Sequence, residues 1–239
     1  MEGKEEYFIG HLWDGGKRDI NQDALGFWWM RKKKYHCFLG IVCDGIGGLQ
    51  EGENASTYVL KHIISWFLSE GYKEKRFTVI RYRMQQIFFQ IHCELKNYGR
   101  EKKIETGTTV TFFIVKGKRY IWGHCGDTRL YHFRKKDIKL VTKDHKNNTG
   151  ALERAIGVGE WQLLDIGVGR FGKKDKLLLC TDGFYRGVTK EDLKHFMEKE
   201  IEDCEKADRM LKLMLQKKQS MGEKDNISAI YFGRGGKSK

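Results

Sequence analysis

Apolar positions along the 239-residue chain change their spacing several times, and each change predicts an element. Residues 8–13 read as a first strand. Residues 24–30 and 35–43 read as a hairpin joined by the basic turn Arg31-Lys32-Lys33-Lys34. Over residues 53–69 the period becomes helical, with Ala55, Val59, Leu60, Ile63, Ile64 and Phe67 recurring on one face, and Gly71 marks the stop. A second helix is predicted over 78–98, with a core-facing stripe of Ile80, Met84, Ile87, Phe88, Ile91 and Leu95. Strands follow at 108–115, 119–124, 129–133 and 139–142, then a short helix near 152–156 and strands at 161–166 and 176–181. Helices at 190–199 and 206–218 and a strand at 227–232 complete the chain.

This order is not the strict strand–helix alternation of a parallel sheet. It suits an α+β fold of two antiparallel sheets, each covered by a pair of helices. No linker, repeat or low-complexity stretch interrupts it, so residues 1–239 are expected to form a single domain.

Composition narrows the reading further. Hydrophobic residues make up 40% of the chain and aromatic ones 13%, enough for a substantial core. No run approaches the ~20 apolar residues of a membrane span. The charged start, Met1-Glu2-Gly3-Lys4-Glu5-Glu6, lacks the apolar segment of a secretory signal. A cytoplasmic protein with no membrane partner is expected. The six cysteines occur singly, several inside apolar runs, which suits buried reduced thiols rather than disulfides or zinc ligands. The net charge of +13 favours an anionic partner, but the basic residues fall in short runs between apolar segments. No motif for specific nucleic-acid binding accompanies them.

The chemistry lies in the aspartates. Asp44 closes the apolar run Gly40-Ile41-Val42-Cys43 and is followed by Gly45-Ile46-Gly47-Gly48. Asp182 closes Leu177-Leu178-Leu179-Cys180-Thr181 and precedes Gly183. Asp127 follows Ile121 to Gly126 in the same manner, and Asp225-Asn226 precedes the last strand. One strand-end Asp-Gly is a common turn signal. Four at one end of a sheet would repel one another without a cation, and carboxylate oxygens suit Mg²⁺ or Mn²⁺.

This constellation resembles the metal-dependent (PPM, type 2C) Ser/Thr protein phosphatases, especially their small bacterial members, over nearly the whole chain. Arg18-Asp19-Ile20-Asn21-Gln22-Asp23 is similar to the family's Arg-x-x-Asn-(Glu/Gln)-Asp. Asp44 to Gly48 with Gly52-Glu53-Asn54-Ala55-Ser56 resembles Asp-Gly-x-Gly-Gly and Gly-Glu-x-Ala-Ser. Then come Thr106-Gly107-Thr108-Thr109, Gly126-Asp127-Thr128-Arg129, Thr142-Lys143-Asp144-His145 and Leu152-Glu153-Arg154-Ala155-Ile156-Gly157. Thr181-Asp182-Gly183 and Asp225-Asn226-Ile227-Ser228 close the series, in the family's order. Each motif alone is weak, and the ordered set is strong.

The resemblance implies a four-layer αββα sandwich and hydrolysis of phosphoserine and phosphothreonine by water bridging two metal ions, Mn²⁺ or Mg²⁺. By it Asp44 would bridge the metals, Asp182 and Asp225 would complete one, and the Gly45 carbonyl would bind the other. Asp23 would hold metal-bound water, mainly from behind, and Asn226 would orient Asp225. Arg18 would grip the substrate phosphate, a task suited to a planar guanidinium. Asp127 matches a position that holds, with that of Asp182, a third and weaker metal in bacterial relatives. The implied partners are phosphorylated proteins and an opposing bacterial-type kinase, with the phosphatase a monomer.

Two departures stand out. Ile46 occupies the position of a histidine that eukaryotic members carry, which leaves the general acid unassigned, and His145 reads as structural. Between His145 and Leu152 only Lys146 to Ala151 remain where many relatives have a longer flap, so a shortened flap and an open cleft are expected. The rival reading is a pseudophosphatase that keeps the fold as a signalling module. The complete set Arg18, Asp23, Asp44, Asp182 and Asp225 argues against it.

Overall fold

The computed structural model describes residues 7–32, 35–201 and 203–234. The charged start and the turn residues Lys33 and Lys34 lie outside them. In chain order the elements are β1 (Tyr7–Asp14), β2 (Asp23–Lys32), β3 (Tyr35–Asp44), α1 (Gly52–Trp66), α2 (Phe77–Lys102), β4 (Val110–Lys116) and β5 (Arg119–Cys125). They continue with β6 (Arg129–Arg134), β7 (Asp137–Leu140), β8 (Asp165–Arg170), β9 (Lys176–Cys180), α3 (Asp182–Tyr185), α4 (Lys190–Glu198), α5 (Cys204–Ser220) and β10 (Ile227–Arg234).

The strands form two five-stranded antiparallel sheets, ordered β1-β10-β9-β6-β7 and β2-β3-β4-β5-β8. Between them lie Phe38, Phe113, Phe171, Phe232, Leu177 and Leu179. The Phe38 and Phe232 rings stack at 4.0 Å across that seam. The apolar stripes of α1 and α2 (Val59, Ile63, Ile80, Met84, Phe88) cover the outer face of the second sheet. Leu193, Phe196, Met197 and Leu211 of α4 and α5 cover the first sheet against Phe8 and Tyr231. The result is the four-layer αββα sandwich expected. Each fully buried large apolar side chain contributes roughly 1.5–3 kcal/mol. Among the described residues, no helix is long and apolar enough to cross a membrane.

Local chemistry sets the ends of several elements. Thr189 and Asp192 form a reciprocal capping box at the start of α4, and Asp203 accepts from the Lys206 amide at 2.8 Å to open α5. The helix begun by α1 runs on through a π-helical turn, Phe67–Gly71, whose carbonyl end is met by Lys116. Gly71 thus does mark the stop. The basic run Arg134-Lys135-Lys136 forms the β6–β7 turn, with Lys135 and Lys136 at positive φ.

Three predicted elements come out differently. Residues 152–156 are extended rather than helical, because Ile156 pairs with Thr108 in both directions (2.9 and 3.0 Å) and Leu152 bridges Lys146. Residues 161–164 are no strand: the Gln85 side-chain amide serves both the N–H and the C=O of Leu164 (3.0 and 2.9 Å). The strand starts only at Asp165, where pairing with β5 begins. The strand expected at 139–142 is shifted to Asp137–Leu140, paired with β6.

Candidate active site

Both sheets end at the same place. Asp23 opens β2 and Asp44 closes β3, and the two are register partners. From the other sheet, Asp182 follows the end of β9, and Asp225 precedes β10. Asp127 follows β5. The charges of Asp23, Asp127, Asp182 and Asp225 all act on Asp44, so the sequence-predicted aspartates do converge.

The backbone around Asp44 is tightly held. Its N–H donates to Thr109 Oγ1 (3.1 Å), and its carbonyl accepts from the Thr109 amide (2.8 Å) and the Thr108 hydroxyl (2.9 Å). Gly45 packs so closely on Gly52 that any Cβ there would strike the Gly52 carbonyl. The next amide, Ile46, donates to the Gly107 carbonyl at 3.0 Å. Glycine at 45 is therefore a steric requirement.

Burial pushes the Asp44 carboxyl well above its ordinary range, and the neighbouring carboxylates push it further. Burial likewise raises Asp23 to about 7, helped by Asp182 and Asp225, against the opposing influence of the Ser228 and Thr181 hydroxyls. Asp182 is also raised, by burial first and Asp127 next. Asp23 Oδ1 is buried without a hydrogen-bond partner. A group of hard oxygen donors that repel one another and leave one buried atom unpaired fits divalent cations.

Two arginines reach the same carboxylates. Arg18 Nε donates to Asp225 Oδ1 at 3.1 Å. Arg186, four residues after Asp182, contacts Asp182, Asp225 at 3.4 Å and Glu223 at 3.7 Å. As the side chains lie, no three acidic, imidazole or thiol groups among the described residues share a point where one ion would sit. Asp182 and Asp225 are turned to the guanidinium of Arg186, which is 52% exposed and has solvent to turn into. A cation held by Asp182 and Asp225 would have to displace that guanidinium.

Asn226 accepts from the Gln22 amide (2.9 Å) and donates through its side chain to the Gly15 carbonyl (2.9 Å), while its own N–H donates to Asp225 Oδ1 (3.1 Å). It ties the Arg18 loop to the start of β10. Behind it, Glu223 accepts from the amides of Lys224 (2.9 Å) and Asp225 (3.1 Å), and the buried Lys218 pairs with Glu223 at 3.3 Å. Lys218 also reaches the Arg186 carbonyl. His145 is buried, with Nδ1 accepting from the Gly126 amide (3.0 Å) and Nε2 facing Asp165 (3.2 Å). Both its nitrogens are engaged in the framework. Residues 146–151 form one tight turn, with Asn147 N–H donating to the Ala151 carbonyl at 2.9 Å.

Sequence reasoning missed Arg186, Lys146, Lys218, Glu223 and Thr181. Arg186 had a signal, since a cation four residues after Asp182 falls on the same helical face. Lys218 and Glu223 had none, because only the packing of α5 shows that the lysine is buried.

Residues 16–217 match the protein phosphatase 2C family profile. The serine/threonine phosphatase stp of Listeria monocytogenes is 26% identical over 220 residues, covering 81% of this chain and 83% of that protein. The solved serine/threonine phosphatase Stp1 from Staphylococcus aureus superposes with a TM-score of 0.84 at 23% identity, over 99% of this chain and 98% of that one. The solved catalytic domain of the serine/threonine protein phosphatase PstP, in complex with two manganese ions, superposes with a TM-score of 0.77 at 19% identity, over 96% and 99%. With the family profile spanning most of its length and the fold shared from end to end, this chain belongs to the protein phosphatase 2C family of enzymes.

Proposed function

We propose that the chain is an active protein serine/threonine phosphatase that hydrolyses phosphoserine and phosphothreonine esters with two divalent cations, Mn²⁺ or Mg²⁺. The observation that carries this reading is the convergence of Asp23, Asp44 and Asp182, each driven toward protonation by burial and by neighbouring carboxylates that include Asp225, with Asp23 Oδ1 unpaired. Asp44 would bridge the cations, Asp182 and Asp225 would complete one, and the Gly45 carbonyl would serve the other. When bound, the cations would acidify water and offset charge on the phosphoryl oxygens during in-line attack.

The protein's own residues supply position. Asp23, at the start of β2, would orient the attacking water. Asn226 holds Asp225 through its backbone N–H. Arg18, half exposed beside Asp225, would turn its guanidinium to a substrate phosphate. Burial pushes the Cys43 and Cys180 thiols up, so neither offers a thiolate nucleophile and no covalent intermediate is expected.

The partners in this reading are phosphorylated proteins and an opposing kinase, and the enzyme acts as a monomer. All six cysteines are free, as suits a reducing cytoplasm.

The test is hydrolysis of an aryl phosphate and a phosphothreonine peptide with Mn²⁺, with chelator, and in Asp182→Asn. Activity that needs Mn²⁺ and vanishes in the variant supports the reading. Activity indifferent to chelator would overturn it. Ion binding without turnover of either substrate would favour the pseudophosphatase.

A further inference from the structure

Asp127 meets a cation that belongs to the chain itself. Lys146 Nζ lies 2.5 Å from Asp127 Oδ2, and the Asp127 side chain is only 8% exposed. Backbone contacts deliver the lysine there. His145 N–H donates to the Gly126 carbonyl (2.8 Å) and Gly126 N–H donates to His145 Nδ1 (3.0 Å). The residue before Lys146 is thus clamped to the residue before Asp127.

The chain then turns back at once. Lys146 bridges Leu152, and Asn147 Oδ1 accepts from the amides of Thr149 (2.9 Å) and Ala151 (3.0 Å). Gly150 supplies the positive φ, +85°, that this turn requires. With both neighbours pinned, the Lys146 backbone has one place to be, and its side chain spans from there to Asp127. On the other side, the Tyr185 hydroxyl donates to the Asp127 carbonyl at 3.0 Å, which fixes that residue too. Lys146 also offsets the charge on Asp182, which Asp127 raises most after burial.

Asp127 and Asp182 are the pair that the family resemblance marks for a third, weaker metal. A divalent ion there would face an ammonium already in contact with one of its two carboxylates. A lysine ammonium is a compact, strongly hydrated charge with three donors, able to serve two carboxylates without a metal's demand for further oxygen ligands. We propose that Lys146 is a tethered cation standing in for the third divalent ion at Asp127, so that the chain loads two ions and offsets the Asp127 charge with its own side chain. The short turn 146–151 fixes the Lys146 backbone, which keeps its ammonium within reach of Asp127. The inference rests on the two-cation reading above, and the same titration separates the failure of either.

The test counts Mn²⁺ ions bound per full-length chain by equilibrium dialysis with elemental analysis, alongside calorimetric titration. The wild type is expected to hold two. Lys146→Met is expected to gain a third, weaker ion, and Lys146→Met combined with Asp127→Asn to return to two. Lys146→Arg, which keeps the charge, stays at two. Asp127→Asn alone also stays at two, with circular dichroism showing each variant folded. If Lys146→Met does not fold, Lys146→Gln replaces it in the same count. Three ions on the wild type, falling to two in Asp127→Asn, would overturn the proposal, as would a folded Lys146→Met that still holds two. Fewer than two ions on the wild type would overturn the two-cation reading itself, and this inference with it.

Discussion

The Thr181 hydroxyl donates to Asp23 Oδ2 at 3.0 Å, so the end of β9 in one sheet holds the carboxylate that opens β2 in the other. Thr181 is itself fixed from both sides, since its N–H donates to the Ser228 carbonyl and its Oγ1 lies 3.0 Å from the Ser228 amide. The contact is fully buried, and it favours the charged form of a carboxyl that burial pushes the other way. Thr181→Val keeps the shape and removes both the donor to Asp23 and the acceptor of the Ser228 amide. Losing a bond to a buried charged group costs about 1–3 kcal/mol. Urea denaturation monitored by fluorescence should show a lower midpoint with an unchanged slope. An unchanged midpoint would mean that Asp23 draws nothing from Thr181.

Arg18 pairs with Asp225 while its own side chain stays 54% exposed. An ion pair that open contributes little to folding, about 0–1 kcal/mol. Its importance should appear in turnover instead. A charge-assisted bond to phosphate is worth about 1.5–3 kcal/mol, so Arg18→Ala should lower kcat/KM for a phosphopeptide roughly tenfold to a hundredfold. Most of the loss should fall on KM if the grip is equal in ground and transition states. Lys at 18 should restore part of it, since it keeps the charge but not the fork. Wild-type kcat/KM in Arg18→Ala would remove Arg18 from the site.

What could be read from the sequence was what repeats locally. The helical stripes of α1 and α2 and the β2–β3 hairpin follow from periods several turns or residues long, Asp44, Asp127, Asp182 and Asp225 follow from strand-end positions, and Asp23 follows only from the family resemblance. Residues 152–156, with Leu152, Arg154 and Ala155, look helical because nothing nearby says that Ile156 will pair with Thr108. Residues 161–164 are apolar enough to read as a strand, yet the Gln85 amide, far away in sequence, takes the backbone groups of Leu164 that a neighbouring strand would need. The same limit hid the cations of the site. Lys146, Arg186 and Lys218 look like any other members of a strongly basic chain until packing shows which carboxylate each one meets.

Gly183 offers a sharper test of how rigid the site is. It sits in the first turn of α3, beside Asp182, with its Cα against the backbone of Asn226. A Cβ there would run into the Asn226 carbonyl oxygen, which has no flexible end to yield. Gly183→Ala should therefore push α3 away from the start of β10 and separate Asp182 from Asp225. Overpacking of this kind costs about 1–3 kcal/mol. Mn²⁺ affinity should fall with the loss of stability. Gly48→Ala is the control, because a Cβ at 48 meets nothing within 4 Å. Equal effects of the two substitutions would show that the α3–β10 contact is not what sets the ligand spacing.

His124 predicts how acid acts on the framework under the site. Its ring is buried, with Nδ1 2.8 Å from Thr111 Oγ1 and Nε2 3.0 Å from the Lys143 carbonyl. The carbonyl can only accept, so Nε2 carries the proton of the neutral ring. Burial, and then the neighbouring His145, push His124 from 6.5 down to about 4. Between those values the unfolded chain binds a proton that the folded chain refuses, so this residue makes stability fall as pH drops from about 6.5 to about 4. Over the whole window the loss is of order 3 kcal/mol. Asp23, raised to about 7, adds a slope of the opposite sign, which cancels when wild type and variant are compared. His124→Gln should thus lose some stability at pH 7 through its missing bonds and then lose less than the wild type on acidification. His145, also lowered by burial, keeps part of the slope in the variant. Denaturation midpoints at half-unit steps from pH 7 to 4.5 would show the two curves converging. Parallel curves would mean that His124 takes up its proton without cost in the folded chain.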